Sequence, residues 1–578
     1  MSERATAVDL DGPRASLASV FEAQAARHPD RVAVEGDDAR LTYRELDRTA
    51  DRIADLILAR LGPREEAVAI LLAPGAALVA AILGALKAGK IYLALDPSYP
   101  APRTAFMLAD SEARLLLTDR GLVDLAREVA TKGQAIALTQ DEALPVPPPA
   151  PRPERSDAAG ALLLYTSGST GNPKGVLHTH RNVLVEVRNY TPDARIVPDD
   201  RLAVWHSFSF ANSVRNLFGA LMNGAAVHPY DLPGQGLMPL PAWIHARRIT
   251  MIHTLATTFR ALTDILPAAV TFPDVRLLRL GGEGITTDDV ARFRRHFPRP
   301  CVLMHVIGPT ETFSIRRLFI DHDWQGAPGK VPLGYPVAEK EVLLLDDDGR
   351  PVAPGVPGEI VIRSKYLAVG YWRQPELTRA AFLPDPADGA MRRYVTGDLG
   401  VMAADGCLTH LGRKDFQVKI RGTRVETAEI EVVLSRLEGV KSSVVHALPD
   451  RRGEPRLVAY VIPSPGAPPT IPAMRRHLSE TLPEVMVPSS FVFLEEFPLL
   501  PNGKIDRRAL PPPSGQRPRG PVVGPRHPLE AQIVGIWREL LDVPEVGVHD
   551  DFFELGGHSL LAARLMQRLE TEVGRALP

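Results

Sequence analysis

The 578-residue chain has little cysteine: Cys301 and Cys407 are its two thiols. That is too few for a disulfide framework or a cysteine-rich metal site, and it suits a reducing compartment, so the expected location is cytoplasmic. Charge of one sign is also lacking. Lys and Arg total 67 against 69 Asp and Glu, a formal net charge of -2. The basic surplus needed to neutralise a phosphate backbone is missing, and nucleic acid is not an expected partner. The opening MSERATAVDLDGPR has early acids, and the residues after it have no apolar segment of signal-peptide length. Long apolar runs are scarce. Ala67 to Leu86 is uncharged, but Pro74-Gly75 cuts it into AVAILLA, with strand character, and AALVAAILGAL, with helical character. Two buried core elements are expected there, not a membrane span or a membrane partner.

What is present is ordinary for a globular protein, with 45% hydrophobic and 24% charged residues, and enough chain for three or four domains of roughly 150 residues each. The 54 prolines gather in LPVPPPAPRP, from Leu144 to Pro153, and in PPPSGQRPRGPVVGPRHP, from Pro511 to Pro528. Both read as extended connections, the second as an interdomain linker. Before it, runs such as ALLLYT and EIVIRS alternate with helical stretches such as PAWIHARRI, the pattern of α/β layers.

The most specific segment is LLLYTSGSTGNPKG, Leu162 to Gly175, where an apolar strand enters a loop of small hydroxyl residues and glycines ending in Lys174. Gly168 and Gly171 let the backbone approach an anion; Thr166, Ser167, Ser169 and Thr170 supply donors, and Lys174 supplies charge. The spacing is not that of a P-loop NTPase.

TSGSTGNPKG resembles the signature of the adenylate-forming enzymes, which include acyl-CoA ligases, luciferases and nonribosomal peptide synthetase adenylation domains. In chain order the sequence also has LTYRELDRTADRIA, LKAGKIYLALDPSYP, GPTET, GEIVIRSKYLAVGYW, YVTGDLG, GRKDFQVKIRGTRVE and LPNGKIDR, so the resemblance covers roughly residues 15 to 511. It implies an α/β multidomain fold: a large N-terminal subdomain (1–414), a small mobile C-terminal subdomain (415–511) and a Pro-rich linker (512–527), with ATP, magnesium and a carboxylic acid bound between the subdomains. By the same resemblance Asp398 accepts from the ribose hydroxyls, Arg413 reaches the ribose or phosphates, and Glu311, beside Thr310 in GPTET, holds Mg2+. Gly282 and Glu283 border adenine, and Ile307 takes the place of an aromatic that usually stacks on it. Lys504, with Lys174, is implied in catalysis through contact with the substrate carboxylate and the α-phosphate. Asp415 is implied as the hinge.

From residue 528 onward HPLEAQIVGIWRELLDV has amphipathic helical spacing, and DDFFELGGHSLLAARLMQRLETEVG resembles the attachment segment of a peptidyl carrier protein. The resemblance implies a small all-α carrier domain (528–578, shorter than usual) with 4'-phosphopantetheine on Ser559, and a phosphopantetheinyl transferase and downstream synthetase domains as partners. The pocket implied by the alignment is lined by Ala211, Asn212, Arg215, His253, Arg279, Gly281, Val306, Ser314 and Ile315. Where amino-acid-activating members usually place an aspartate stands Ala211, and Phe208 to Ala220 contains no carboxylate. A buried α-ammonium needs a counterion, so an ordinary α-amino acid fits poorly. Arg215 and Arg279 either take an anionic or strongly polar group of the substrate or pair internally. The expected function is activation of such an acid as an acyl-adenylate and its loading on the carrier. An acyl- or aryl-CoA ligase would share the motifs up to Lys504 but has no need of DFFELGGHSLL. A catalytically silent carrier or docking module would not need Lys174, Glu311, Asp398 and Lys504.

Overall fold

Apolar runs without alternation predict strands buried on both faces, and Ala67–Leu71 and Ile91–Leu95 are buried along their whole length. The computed structural model describes residues 15–573 apart from 131–133, 139–150, 155, 169–170, 415–416, 451–452, 465, 467, 499–504, 508, 514–521, 542, 544, 553–554, 556 and 558. Much of both proline-rich segments therefore lies outside the described residues, as do Ser169, Thr170, the expected hinge Asp415 and Lys504.

The two buried strands are central in a seven-stranded sheet ordered Gly370–Tyr371, Lys174–Thr179, Gly160–Thr166, Ile91–Leu95, Ala67–Leu71, Leu115–Thr118, Ala135–Leu138. In a nine-stranded sheet the run Val302–Ile307, Leu277–Gly281, Met251–Leu255, Arg201–Val204, Ala226–Pro229, Val32–Glu35 is parallel throughout. One apolar cluster draws residues from both sheets and from helices Leu17–Arg27, Tyr43–Leu61, Ala76–Lys87 and Ala211–Leu221. The helix after Pro74-Gly75 is buried on nearly all sides, which explains a composition that mimics a membrane segment. Among the described residues no helix is long and apolar enough to cross a membrane.

A five-stranded sheet contains Gly358–Ser364 and Arg392–Met402, with Leu408–Arg413 paired to the latter. The hairpin of Gln417–Ile420 and Thr423–Glu426 turns at Arg421 and Gly422, both at positive φ (48° and 71°), the backbone that a two-residue turn between twisted strands requires. Helix Thr427–Leu434 follows, and it packs with strands Val440–Pro449, Pro455–Pro463 and Ser490–Phe493 and helix Ile471–Ser479 around a separate core. Helices Pro528–Leu541 and Ser559–Val573 share their own cluster, built on Ile536, Phe552, Leu565 and Leu569. The second of them rests on helix Ala256–Ile265: Ala563 packs on the core that holds Phe259, and Arg564 bridges to Asp264 at 2.7 Å.

Candidate active site

Strand Gly160–Thr166 hands the chain into the glycine-rich loop, and Thr166 and Lys174 face each other in register where it returns. A Cβ on Gly168 would lie 2.0 Å from the Asn172 carbonyl oxygen, so the loop closes this tightly only with glycine there. Gly171 has φ +87°. Lys174 is buried, 4.3 Å from the Tyr371 ring centroid, and donates to the Tyr371 hydroxyl at 3.3 Å. Burial and the neighbouring Arg424 guanidinium lower its proton affinity, and Glu311 opposes them. The Thr166 hydroxyl is buried and has no hydrogen-bond partner among the described residues, leaving it available to a ligand.

Glu311 follows strand Val302–Ile307 and is wholly buried. Its carboxylate accepts from the Tyr371 hydroxyl at 2.8 Å and from Arg424 at 3.0 and 3.2 Å. Burial alone would raise its pKa; Arg424 and Lys174 outweigh burial and hold it down at about 2. A permanently ionised carboxylate beside a backbone anion cradle is a donor set that fits a hard divalent cation with phosphates. Magnesium bound there would offset phosphate charge. Thr310 offers its carbonyl oxygen to His178 Nε2 at 2.9 Å.

A cleft of about 1270 Å³ is lined by Glu283, Ile307, Asp398, Arg413 and Lys419 among others. Asp398 and Arg413 are cross-strand partners, Nη1 to Oδ1 2.7 Å, and His410 Nε2 lies 3.3 Å from the same oxygen. Burial raises the Asp398 pKa, but His410, Lys419 and Arg413 reverse this and keep it ionised far below neutrality. Glu283 accepts from the Thr257 amide at 2.8 Å and hydroxyl at 2.7 Å, and burial raises its pKa. Gly282, at φ +79°, sits against Leu255 and Gly422.

Of the nine implied pocket residues, four form one buried network. His253 and Arg279 are register partners on adjacent parallel strands. Arg279 donates to His253 Nδ1 at 3.1 Å and to Ser314 Oγ at 3.0 Å, and lies 5.1 Å from the Tyr190 ring centroid. Ser314 donates to Glu186 at 2.6 Å, and Glu186 also accepts from Arg215 at 2.6 Å and from Lys340 at 3.2 Å. Arg215 is thus paired internally. The other five are placed differently: Ala211 and Val306 join the large core, Ile315 a second cluster with Val176, Gly281 pairs with Val306, and Asn212 lies in the first turn of helix Ala211–Leu221.

The AMP-binding enzyme description matches residues 21–372, its C-terminal domain residues 429–504, and the phosphopantetheine attachment site residues 531–578. The chain belongs to the AMP-binding enzyme family. It is similar to a linear gramicidin synthase of Brevibacillus parabrevis, 39% identical over 96% of this chain and 7% of that protein. It is also similar to tyrocidine synthase 3 of the same organism, 36% identical over 97% of this chain and 8% of that one. The chain therefore spans less than a tenth of the length of either relative. Among solved structures it resembles a holo nonribosomal peptide synthetase protein with adenylation and carrier domains bound to a vinylsulfonamide inhibitor (TM-score 0.81, 27% identical, 99% of this chain and 94% of that one). A four-domain nonribosomal peptide synthetase bound to AMP and glycine is 32% identical (TM-score 0.60, 98% of this chain, 42% of that one). The expected adenylation domain followed by a carrier is borne out, as is the adenylate-forming α/β fold.

As an AMP-binding enzyme the chain is an adenylate-forming ligase using ATP with magnesium, and its carrier domain takes 4'-phosphopantetheine. Ser559, the residue expected to carry it, stands at the first position of helix Ser559–Val573. The structure adds residues that sequence reasoning missed: Glu186, Lys340, Tyr371, Arg424 and Glu429. Glu186 left a signal, a lone acid in the apolar stretch NVLVEV, and Arg424 stands inside the motif GRKDFQVKIRGTRVE, although nothing there points to Glu311 as its partner; Glu429 left none.

Proposed function

We propose that this chain activates, as its acyl-adenylate, a carboxylic acid that lacks an ordinary α-amino group and carries an anionic or strongly polar group away from the reacting carboxylate. The acid is then loaded on the Ser559 phosphopantetheine thiol, in cytoplasmic nonribosomal peptide or hybrid natural-product assembly. In this reading Lys504 acts on charge developing between carboxylate and α-phosphate, and the chain hands its thioester to downstream synthetase domains. The observation that carries the substrate reading is the charge balance of the buried network. Three cations, Arg215, Arg279 and Lys340, share the carboxylate Glu186, which already serves Arg215, Lys340 and Ser314, while the nearby Asp193 is bound by Arg317 at 2.6 Å. Arg279 is 2% exposed; its side-chain hydrogen bonds go to His253 and Ser314, and Glu186 and Asp193 reach it through charge without a direct ion pair among the described residues. Such a site suits an incoming anion and repels an ammonium group. The nonribosomal peptide synthetase bound to AMP and glycine shows the alternative that the test must separate. Carboxylate-dependent ATP–pyrophosphate exchange over a panel of acids is the measurement. Acids without an α-amine should turn over, those with a distal carboxylate fastest, and Lys504→Ala should abolish exchange. Robust turnover of a common α-amino acid, with amine-free acids inert, would overturn the reading.

A further inference from the structure

The hairpin Gln417–Glu426 and the helix after it lie on the phosphate loop. The Ser167 hydroxyl donates to the Arg424 carbonyl oxygen at 2.6 Å, and a Cβ on Gly171 would meet the Val432 side chain at 3.1 Å. Two charged contacts stand out. Arg424 binds Glu311 through both carboxylate oxygens. Glu429, 1% exposed, accepts from the Gly168 amide at 3.4 Å while held by Arg103 at 2.7 Å.

A cation therefore sits on the carboxylate assigned to the metal, and a carboxylate sits on the amide assigned to phosphate. We infer that Arg424 and Glu429 are positioning residues that imitate magnesium pyrophosphate, occupying its cation and anion positions so that the docked hairpin and the bound salt exclude each other. The inference rests on the reading of Glu311 and the glycine-rich loop as the magnesium and phosphate site. The reason for such a substitute is electrostatic. Glu311 is wholly buried, and a buried carboxylate stripped of its cation is strongly destabilised. When pyrophosphate and its metal leave, the hairpin supplies the missing charges from the protein itself. A guanidinium 3.0 Å from Glu311 and a divalent cation on the same oxygens would repel each other, as would Glu429 and a phosphate. Docking thus blocks the return of pyrophosphate, which would attack the acyl-adenylate, re-form ATP and release the acid.

The sign of the effect makes this testable. Removing an arginine near an anion site ordinarily weakens anion binding; here Arg424→Gln should tighten the binding of magnesium pyrophosphate by tenfold or more in calorimetry on the full chain. Arg424→Lys, which keeps the cation, should stay near wild type. A second measurement needs no variant. Magnesium pyrophosphate, but not magnesium alone, should speed deuterium exchange of the amides in 417–426 of the wild-type chain. Unchanged or weaker binding in Arg424→Gln, or unchanged exchange at saturating magnesium pyrophosphate, overturns the inference. Glu311→Gln separates it from the reading beneath it. If that variant binds magnesium pyrophosphate as wild type does, the metal-site assignment is wrong. If it binds weakly while Arg424→Gln gains nothing, the assignment stands and the imitation fails.

Discussion

Glu186 is the residue on which the buried charges of the pocket depend. Burial favours its neutral form, but Arg215 and Lys340 more than compensate and keep it ionised. Glu186→Gln would leave two buried cations without their carboxylate, a change worth about 3–5 kcal/mol of stability, measurable by denaturant titration. Arg279 behaves in the opposite way. Burial and the nearby Arg215 depress its pKa to about 9, a sign that its charge is costly in the folded chain. Arg279→Met should therefore be neutral or stabilising in the same titration, yet erase any preference for acids with a distal anion in the exchange assay. A loss of several kcal/mol in Arg279→Met would show that the guanidinium is structural instead. These roles are only partly legible in the sequence. The arginines are visible there, but Arg215 and its partner Glu186 are 29 positions apart, and only the packing of helix His180–Ala194 against helix Ala211–Leu221 brings them together.

At the level of elements, strands and helices with a strong pattern are readable. AVAILLA and AALVAAILGAL form strand Ala67–Leu71 and helix Ala76–Lys87, because long apolar runs on either side of Pro-Gly leave few alternatives. ALLLYT and EIVIRS likewise lie within strands Gly160–Thr166 and Gly358–Ser364. The glycine-rich loop is readable because its composition is its function: few sequences place so many small donors between a strand and a lysine. What the hairpin Gln417–Glu426 touches is not readable: its partners Ser167 and Glu311 stand in motifs of their own but lie more than a hundred residues away, and nothing local pairs the segments. The loop geometry gives a prediction. Gly168→Ala places a methyl group on the Asn172 carbonyl, so the loop must open, and pyrophosphate exchange should fall at least tenfold while the melting temperature changes by a few degrees at most. Wild-type exchange would mean that the loop tolerates opening.

For the whole molecule, acid sensitivity follows from buried imidazoles. His178 and His206 are held neutral with pKa values near 4, His228 near 3, and His253 well below 6.5, burial being the leading cause in each. In the unfolded chain each protonates near 6.5, so between pH 6.5 and 4 the unfolded state binds more protons and stability falls as pH falls. Each group contributes at most about 1.4 kcal/mol per pH unit. Urea midpoints measured across this window should drop steeply, and replacing His178 and His253 with Asn should flatten the slope even if it lowers the stability at pH 7; an unchanged slope would count against these groups. The carrier helix has a consequence of another kind. Its contact with helix Ala256–Ile265 includes Ala563 and an Arg564–Asp264 bridge, and Arg292 shares the same aspartate. Each 1.4 kcal/mol removed from such a contact shortens its residence tenfold, so loss of the Arg564 guanidinium should let the carrier leave sooner and turn over its visits faster.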